Sequence, residues 1–140
     1  MNVTCTRKIE FDSAHRIVQH ESKCRHLHGH RYVIEITAMA SKLDSLGRII
    51  DFSVLKSILG SWIDKHFDHG TIAYENDIDL IDLCYRKGWK IFIMENNPTA
   101  ENMAIFLFEK FNSLLSNKEI KITHIRLYET PNCWADYHGS

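Results

Sequence analysis

The sequence predicts an α+β domain in which a β-sheet has one face covered by a pair of helices. Three observations carry this. Both ends of the 140-residue chain alternate polar and apolar residues with the period of two expected of strands. Two stretches of the middle repeat apolar residues at intervals of three and four, as helices do. No linker, low-complexity tract or internal repeat interrupts them, so residues 1–140 read as one domain, long enough to bury a core without disulfides or a structural metal.

In the first strand, Val3, Cys5, Arg7, Ile9 and Phe11 alternate with Thr4, Thr6, Lys8 and Glu10, and the run continues towards His15. Residues 16–27 are polar and histidine-rich and read as the loop to a second strand. That strand begins near His28, with His30, Tyr32, Ile34 and Ile36 on one face and Arg31, Val33, Glu35 and Thr37 on the other. DSLGRIIDFS supplies a turn, with Gly47 giving backbone freedom and Ser53 capping a helix. The buried stripe of this helix is Val54, Leu55, Ile58, Leu59, Trp62 and Ile63. NPTAENM opens a second helix, with Thr99 as cap and Glu101 at the positive end of the dipole. Met103, Ala104, Leu107, Phe108, Phe111, Leu114 and Leu115 form its stripe, up to the polar stop SNKE. Between the helices, IDLIDLCYRK reads as a helical turn or two and WKIFIM as a short strand. KITHIRLYET and CWADYH close the chain as strands, giving the order ββααββ with a short insertion between the helices.

Charge and cysteine content narrow the function classes. The 17 lysines and arginines nearly balance 18 aspartates and glutamates and form no basic stripe, which argues against nucleic acid or a membrane surface as the partner. The N-terminal MNVTCTRKIEF has no uninterrupted apolar run, so it is neither a signal peptide nor a membrane span, and a cytoplasmic protein is expected. Cys5, Cys24, Cys84 and Cys133 are widely separated with no C-x-x-C pair, which fits free thiols in a reducing compartment.

The chemistry concentrates in KCRHLHGHRY, residues 23–32. On a strand, side chains two apart share a face, so His28 and His30 direct both imidazoles at one point, with Gly29 giving the backbone freedom between them. His15, at the end of the neighbouring strand, supplies a third nitrogen. Three histidines leave a fourth tetrahedral position open, the catalytic arrangement of Zn2+. A second reading makes Cys24 the fourth ligand of a closed, structural site in a non-catalytic zinc domain. His26 lies in the loop and is expected to stay off the metal. Asp68 and His69 stand side by side after the first helix, where a carboxylate orients an imidazole or is simply solvated. Glu129 ends a strand.

Read together, C-x-x-x-H-G-H at Cys24 to His30, His15 in FDSAHR, the Asp68-His69 pair, NPTAEN, and YET at Tyr128 to Thr130 resemble, in order and spacing, the 6-pyruvoyltetrahydropterin synthase / 6-carboxytetrahydropterin synthase family. The resemblance runs from about Ile9 to His138, and only the section from Thr71 to Met94 is longer than in short members. It implies the tunnelling fold, a four-stranded antiparallel sheet with two helices on one face, assembled as a homohexamer of two trimers with active sites between subunits. It implies zinc on His15, His28 and His30, a catalytic Cys24, and His69 with Asp68 contributed by an adjacent subunit. Glu129 would hold the pterin ring, and Thr99 would add a hydrogen bond at its edge. The implied substrate is 7,8-dihydroneopterin triphosphate.

Two reactions compete under this resemblance. The carboxy branch releases acetaldehyde and triphosphate and leaves 6-carboxytetrahydropterin, towards 7-deazaguanines such as queuosine. The pyruvoyl branch eliminates triphosphate and keeps all the carbons. Three residues between Cys24 and HGH resemble the bacterial carboxy-type enzymes, so that branch is favoured. Glu21, just ahead of Cys24, raises the further comparison with folate-pathway relatives that use a glutamate near the cysteine's place.

Overall fold

The computed structural model describes residues 2–140. Its frame is a long antiparallel pair, β1 (Cys5–His15) and β2 (His28–Ala40), in a register that sets Cys5 opposite Ala38 and His15 opposite His28. Burial follows the pleat: Ile9, Phe11, Ser13 and His15 point inwards from β1, and Tyr32, Ile34, Ile36 and Ala38 from β2. The loop between them contains a single 3-10 turn over Lys23–Arg25.

Three helical pieces follow without a break, α1 (Phe52–Leu55), a π turn (Lys56–Gly60) and α2 (Ser61–His66). The cap is Asp51, not the expected Ser53: its carboxylate accepts from the Ser53 N–H and from the Ser53 hydroxyl, both at 2.9 Å. Either residue type caps well, and the one two positions earlier is the one with extended backbone geometry. Leu55, Leu59 and Ile63 are buried as the stripe requires. Gly47, at a φ of 85°, makes the preceding turn.

The middle section corrects the expected sheet. β3 (Gly70–Tyr74), α3 (Ile78–Lys87) and β4 (Ile91–Met94) form a parallel β-α-β unit, with β3 alongside the end of β1 from Ser13 to His15. With α4 (Ala100–Leu114), β5 (Ile120–Thr130) and β6 (Cys133–Tyr137), the sheet has six strands in the order β4-β3-β1-β2-β5-β6, mixed where a four-stranded antiparallel sheet was expected. Nor do all helices share a face. Ile72, Phe92 and Met94 join the main core under α1, α2 and α4, whereas Ala73 and Ile91, on the other side of the pleat, pack with Leu80 and Cys84 of α3. A strand covered on both faces shows no alternation, so Thr71, Ile72 and Ala73 are all buried and β3 lacks the period of a half-exposed strand.

α4 buries Met103, Ala104, Leu107 and Phe111, and Thr99 caps it by accepting from the Asn102 N–H at 3.1 Å. Beneath the helices, Phe11 stacks on Tyr32 with ring centres 4.9 Å apart. Full burial of side chains of this size contributes about 1.5–3 kcal/mol each. This core fixes the ends of β1 and β2, where the histidines sit. Among the described residues no helix is long and apolar enough to cross a membrane.

Candidate active site

Three of the predicted residues meet. The ring nitrogens of His15, His28 and His30 lie within 4.8 Å of one another, on the inward face where β1 and β2 end. Two of the rings are oriented by backbone. His15 Nδ1 is 2.7 Å from the Pro98 carbonyl, and His28 Nδ1 is 2.7 Å from the His26 carbonyl. With Nδ1–H donating in each neutral ring, the Nε2 lone pair is left to face the cluster, the tautomer a metal ligand needs. His28 Nε2 and His30 Nε2 are 3.1 Å apart.

Burial favours the neutral form of two of the rings, His15 and His30. His15 is 1% exposed, and burial, with repulsion from the other two histidines, pushes its imidazole down to about 4 despite the Pro98 bond. Burial also lowers His30, with His28 adding to the effect. Three imidazoles, that of His15 buried and those of His28 and His30 half-buried, with converging ring nitrogens fit Zn2+ and leave its fourth position for another ligand. Gly29 between them is extended, pairs with Ala14, and would place a Cβ only in ordinary contact, 3.5 Å from the Ser13 carbonyl. The special backbone freedom expected of it is therefore not used.

Cys24 is not in this group of donor atoms; it sits half-buried in the 3-10 turn, its carbonyl accepting from Ile17 N–H at 2.8 Å. Among the described residues the converging donor set thus has three members and not the four of a closed site. His26 is exposed and contributes its carbonyl rather than its ring. Glu129 does reach the cluster, with Oε1 3.8 Å from His15 Nε2. Burial raises its carboxyl, Glu101 raises it further and His28 opposes both. Thr99 adjoins Pro98, and its hydroxyl keeps a proton to donate while it caps α4.

Asp68 and His69 form a pair, His69 Nδ1 lying 2.9 Å from Asp68 Oδ2. Burial draws the Asp68 carboxyl up, but the Asp12 N–H, His69 and Lys90 outweigh it, so it ionises below the usual carboxylate range. The pair groups with the side chain of Asp12, which itself binds Arg31. Asp12 and Arg31 point to the face of the sheet opposite Phe11, Ser13 and His15, so the pair does not join the histidines of its own chain.

Other contributors lie in stretches noted for other reasons, Asn97 and Pro98 in NPTAEN and Tyr32 on β2. The Pro98 carbonyl is backbone. Asn97 grips the loop of Cys24, its side chain accepting from Val18 N–H at 2.9 Å and donating to the Val18 carbonyl at 3.2 Å. The Tyr32 hydroxyl, beneath His15 and His30, is buried without a hydrogen-bond partner among the described residues, and burial, then Glu129, pushes its phenol well up.

Comparison with known proteins gives this arrangement its class. A protein from Wolinella succinogenes of uncharacterised role superposes with a TM-score of 0.85 at 20% identity, over 99% of this chain and 98% of that one. The 6-pyruvoyl tetrahydropterin synthase of Caenorhabditis elegans superposes with a TM-score of 0.71 at 26% identity, over 99% and 96%. The domain is thus a T-fold of the pterin synthase type. The 6-carboxy-5,6,7,8-tetrahydropterin synthase of Rickettsia conorii is 47% identical over 138 residues, 96% of this chain and 99% of the relative. Residues 4–140 match the family model described as 6-pyruvoyl tetrahydropterin synthase, and the chain belongs to that family of lyase-type enzymes.

Proposed function

We propose that the chain is a zinc-dependent 6-carboxy-5,6,7,8-tetrahydropterin synthase. It converts 7,8-dihydroneopterin triphosphate and one water to 6-carboxytetrahydropterin, acetaldehyde and triphosphate, on the route to 7-deazaguanines such as queuosine, in the cytoplasm. The observation that carries this reading is the convergence of His15, His28 and His30 with Glu129 beside them. The name of the Rickettsia conorii relative and the three-residue gap between Cys24 and HGH support the carboxy branch.

His15, His28 and His30 would hold the metal, which when bound supplies Lewis acidity towards the side-chain hydroxyls of the substrate. Glu129 accepts paired hydrogen bonds from the amino group and ring nitrogen of the pterin, and Thr99 donates at the ring edge. Cys24 and His69 move protons between side chain and ring, with Asp68 holding the His69 tautomer. Because Asp68 and His69 face away from the histidines of their own chain, they serve a neighbouring copy, in a homohexamer of two trimers with sites at the subunit interfaces. Glu21 is exposed, consistent with a solvated loop carboxylate.

Incubating the metal-loaded protein with dihydroneopterin triphosphate tests the reading. Acetaldehyde and triphosphate released in equal amounts are expected. Triphosphate without acetaldehyde, with a pyruvoyl product, would overturn the carboxy assignment.

A further inference from the structure

The segment from Thr71 to Met94 has no part in the chemistry above, yet the residue just ahead of β4 reaches the Asp68–His69 pair. The Lys90 ammonium donates to two backbone carbonyls, that of Asp64 at 2.7 Å and that of Asp68 at 2.6 Å. Asp64 lies in the last turn of α2, where carbonyls lack helical partners. The Asp68 carbonyl belongs to the peptide that leads into His69, whose φ of 58° lies in the left-handed region that residues with a Cβ seldom occupy. Lys90 is anchored in turn, its own carbonyl accepting from Thr71 N–H at 3.0 Å. Its stem crosses Gly70, where a Cβ would stand 3.1 Å from Lys90 Cγ. His69 and Lys90 line one open groove of about 700 Å³ together with Trp89 and Arg31.

We propose that Lys90 is a positioning residue for the Asp68–His69 pair. By tying the Asp68–His69 peptide to the end of α2, it keeps His69 Nδ1 on Asp68 and Nε2 turned outward, where a substrate proton would be met. The inference rests on the reading that His69 moves a proton in the reaction.

A double-mutant cycle on the metal-loaded enzyme tests it, with Lys90→Met, His69→Ala and the double variant. Lys90→Met keeps the stem over Gly70 and removes only the ammonium. It is expected to lower kcat about tenfold with KM changed less than about twofold. Lys90→Arg should recover most of the loss, and Lys90→Met should cost nothing more on the His69→Ala background. Full turnover in Lys90→Met, or an equal loss in both backgrounds, overturns the positioning role. Wild-type turnover in His69→Ala alone overturns the reading of His69 and the inference with it. If Lys90→Met does not fold, Lys90→Gln keeps a polar stem end without the charge, and the same cycle with His69→Ala gives the same decision.

Discussion

His15 donates its Nδ1–H to the carbonyl of Pro98 at 2.7 Å, joining the end of the first strand to a residue 83 positions away, just ahead of the α4 cap. A backbone acceptor fixes the ring whatever side chains surround it, and it leaves Nε2 committed to the cluster. The metal should therefore depend on the histidines and not on Cys24. His15→Ala and His28→Ala should each lower zinc affinity more than about 100-fold, whereas Cys24→Ala should keep about one zinc per chain and lose about 10²–10⁴ in turnover. Metal content after dialysis, set beside the turnover of the same samples, checks both. Loss of zinc in Cys24→Ala would reinstate the closed-site reading.

Glu129 gives a different signature. It lies beside the donor set without belonging to it, so Glu129→Ala should leave zinc content unchanged while removing the paired acceptor that the proposed function assigns to the pterin edge. The loss of two charge-assisted hydrogen bonds corresponds to a fall of about 100-fold or more in kcat/KM, with KM carrying much of it. Substrate titration of the zinc-replete variant is the measurement, and an unchanged KM would remove Glu129 from ring binding.

The Arg16–Asp77 pair ties the residue after the first histidine to the cap of α3. Arg16 Nε donates to Asp77 Oδ2 at 2.6 Å, and a second guanidinium nitrogen meets Oδ1. The hydrogen bond from Arg16 holds the Asp77 carboxyl below its usual range, against the effect of burial. A carboxyl depressed in the folded state contributes stability that is present above its unfolded pKa of about 4 and is lost as pH falls through the folded value. Asp77→Asn should thus destabilise the protein by about 1–3 kcal/mol at pH 7, a figure reduced because the Arg16 side chain is 34% exposed and its charge partly screened. Urea denaturation at pH 7 and below pH 4 tests the sign, since the gap between wild type and variant should close in acid.

The parts of the site that sequence made legible are those where a periodic element delivers side chains. His28 and His30 share a face because β2 is extended, and the β1–β2 register brings His15 directly opposite His28. The two long helices were legible for the same reason, in stripes such as Met103, Leu107 and Phe111. β3 was not, because α3 covers its second face and erases the alternation at Thr71 to Ala73. Contacts made through backbone, such as His15 to Pro98 and Lys90 to Asp68, leave no mark on residue type at the accepting position. The separation of Asp68 and His69 from their own chain's cluster depends on which sheet face they meet. That follows from the pairing of β3 with β1, a long-range fact that local pattern does not contain.

That separation supports the most discriminating prediction. Under the proposed function each site takes its metal donors and Cys24 from one copy and His69 from another, so two defective chains should repair one another. Cys24→Ala and His69→Ala should each be nearly inactive alone. Mixed under conditions that exchange subunits, a one-to-one population places an intact Cys24 beside an intact His69 in about a quarter of the sites, and turnover should return to about that fraction of wild type. A site built within one chain allows no such rescue, because every copy then carries one of the two lesions. Activity measured before and after subunit exchange, with each variant's oligomeric state determined alongside, distinguishes the two arrangements.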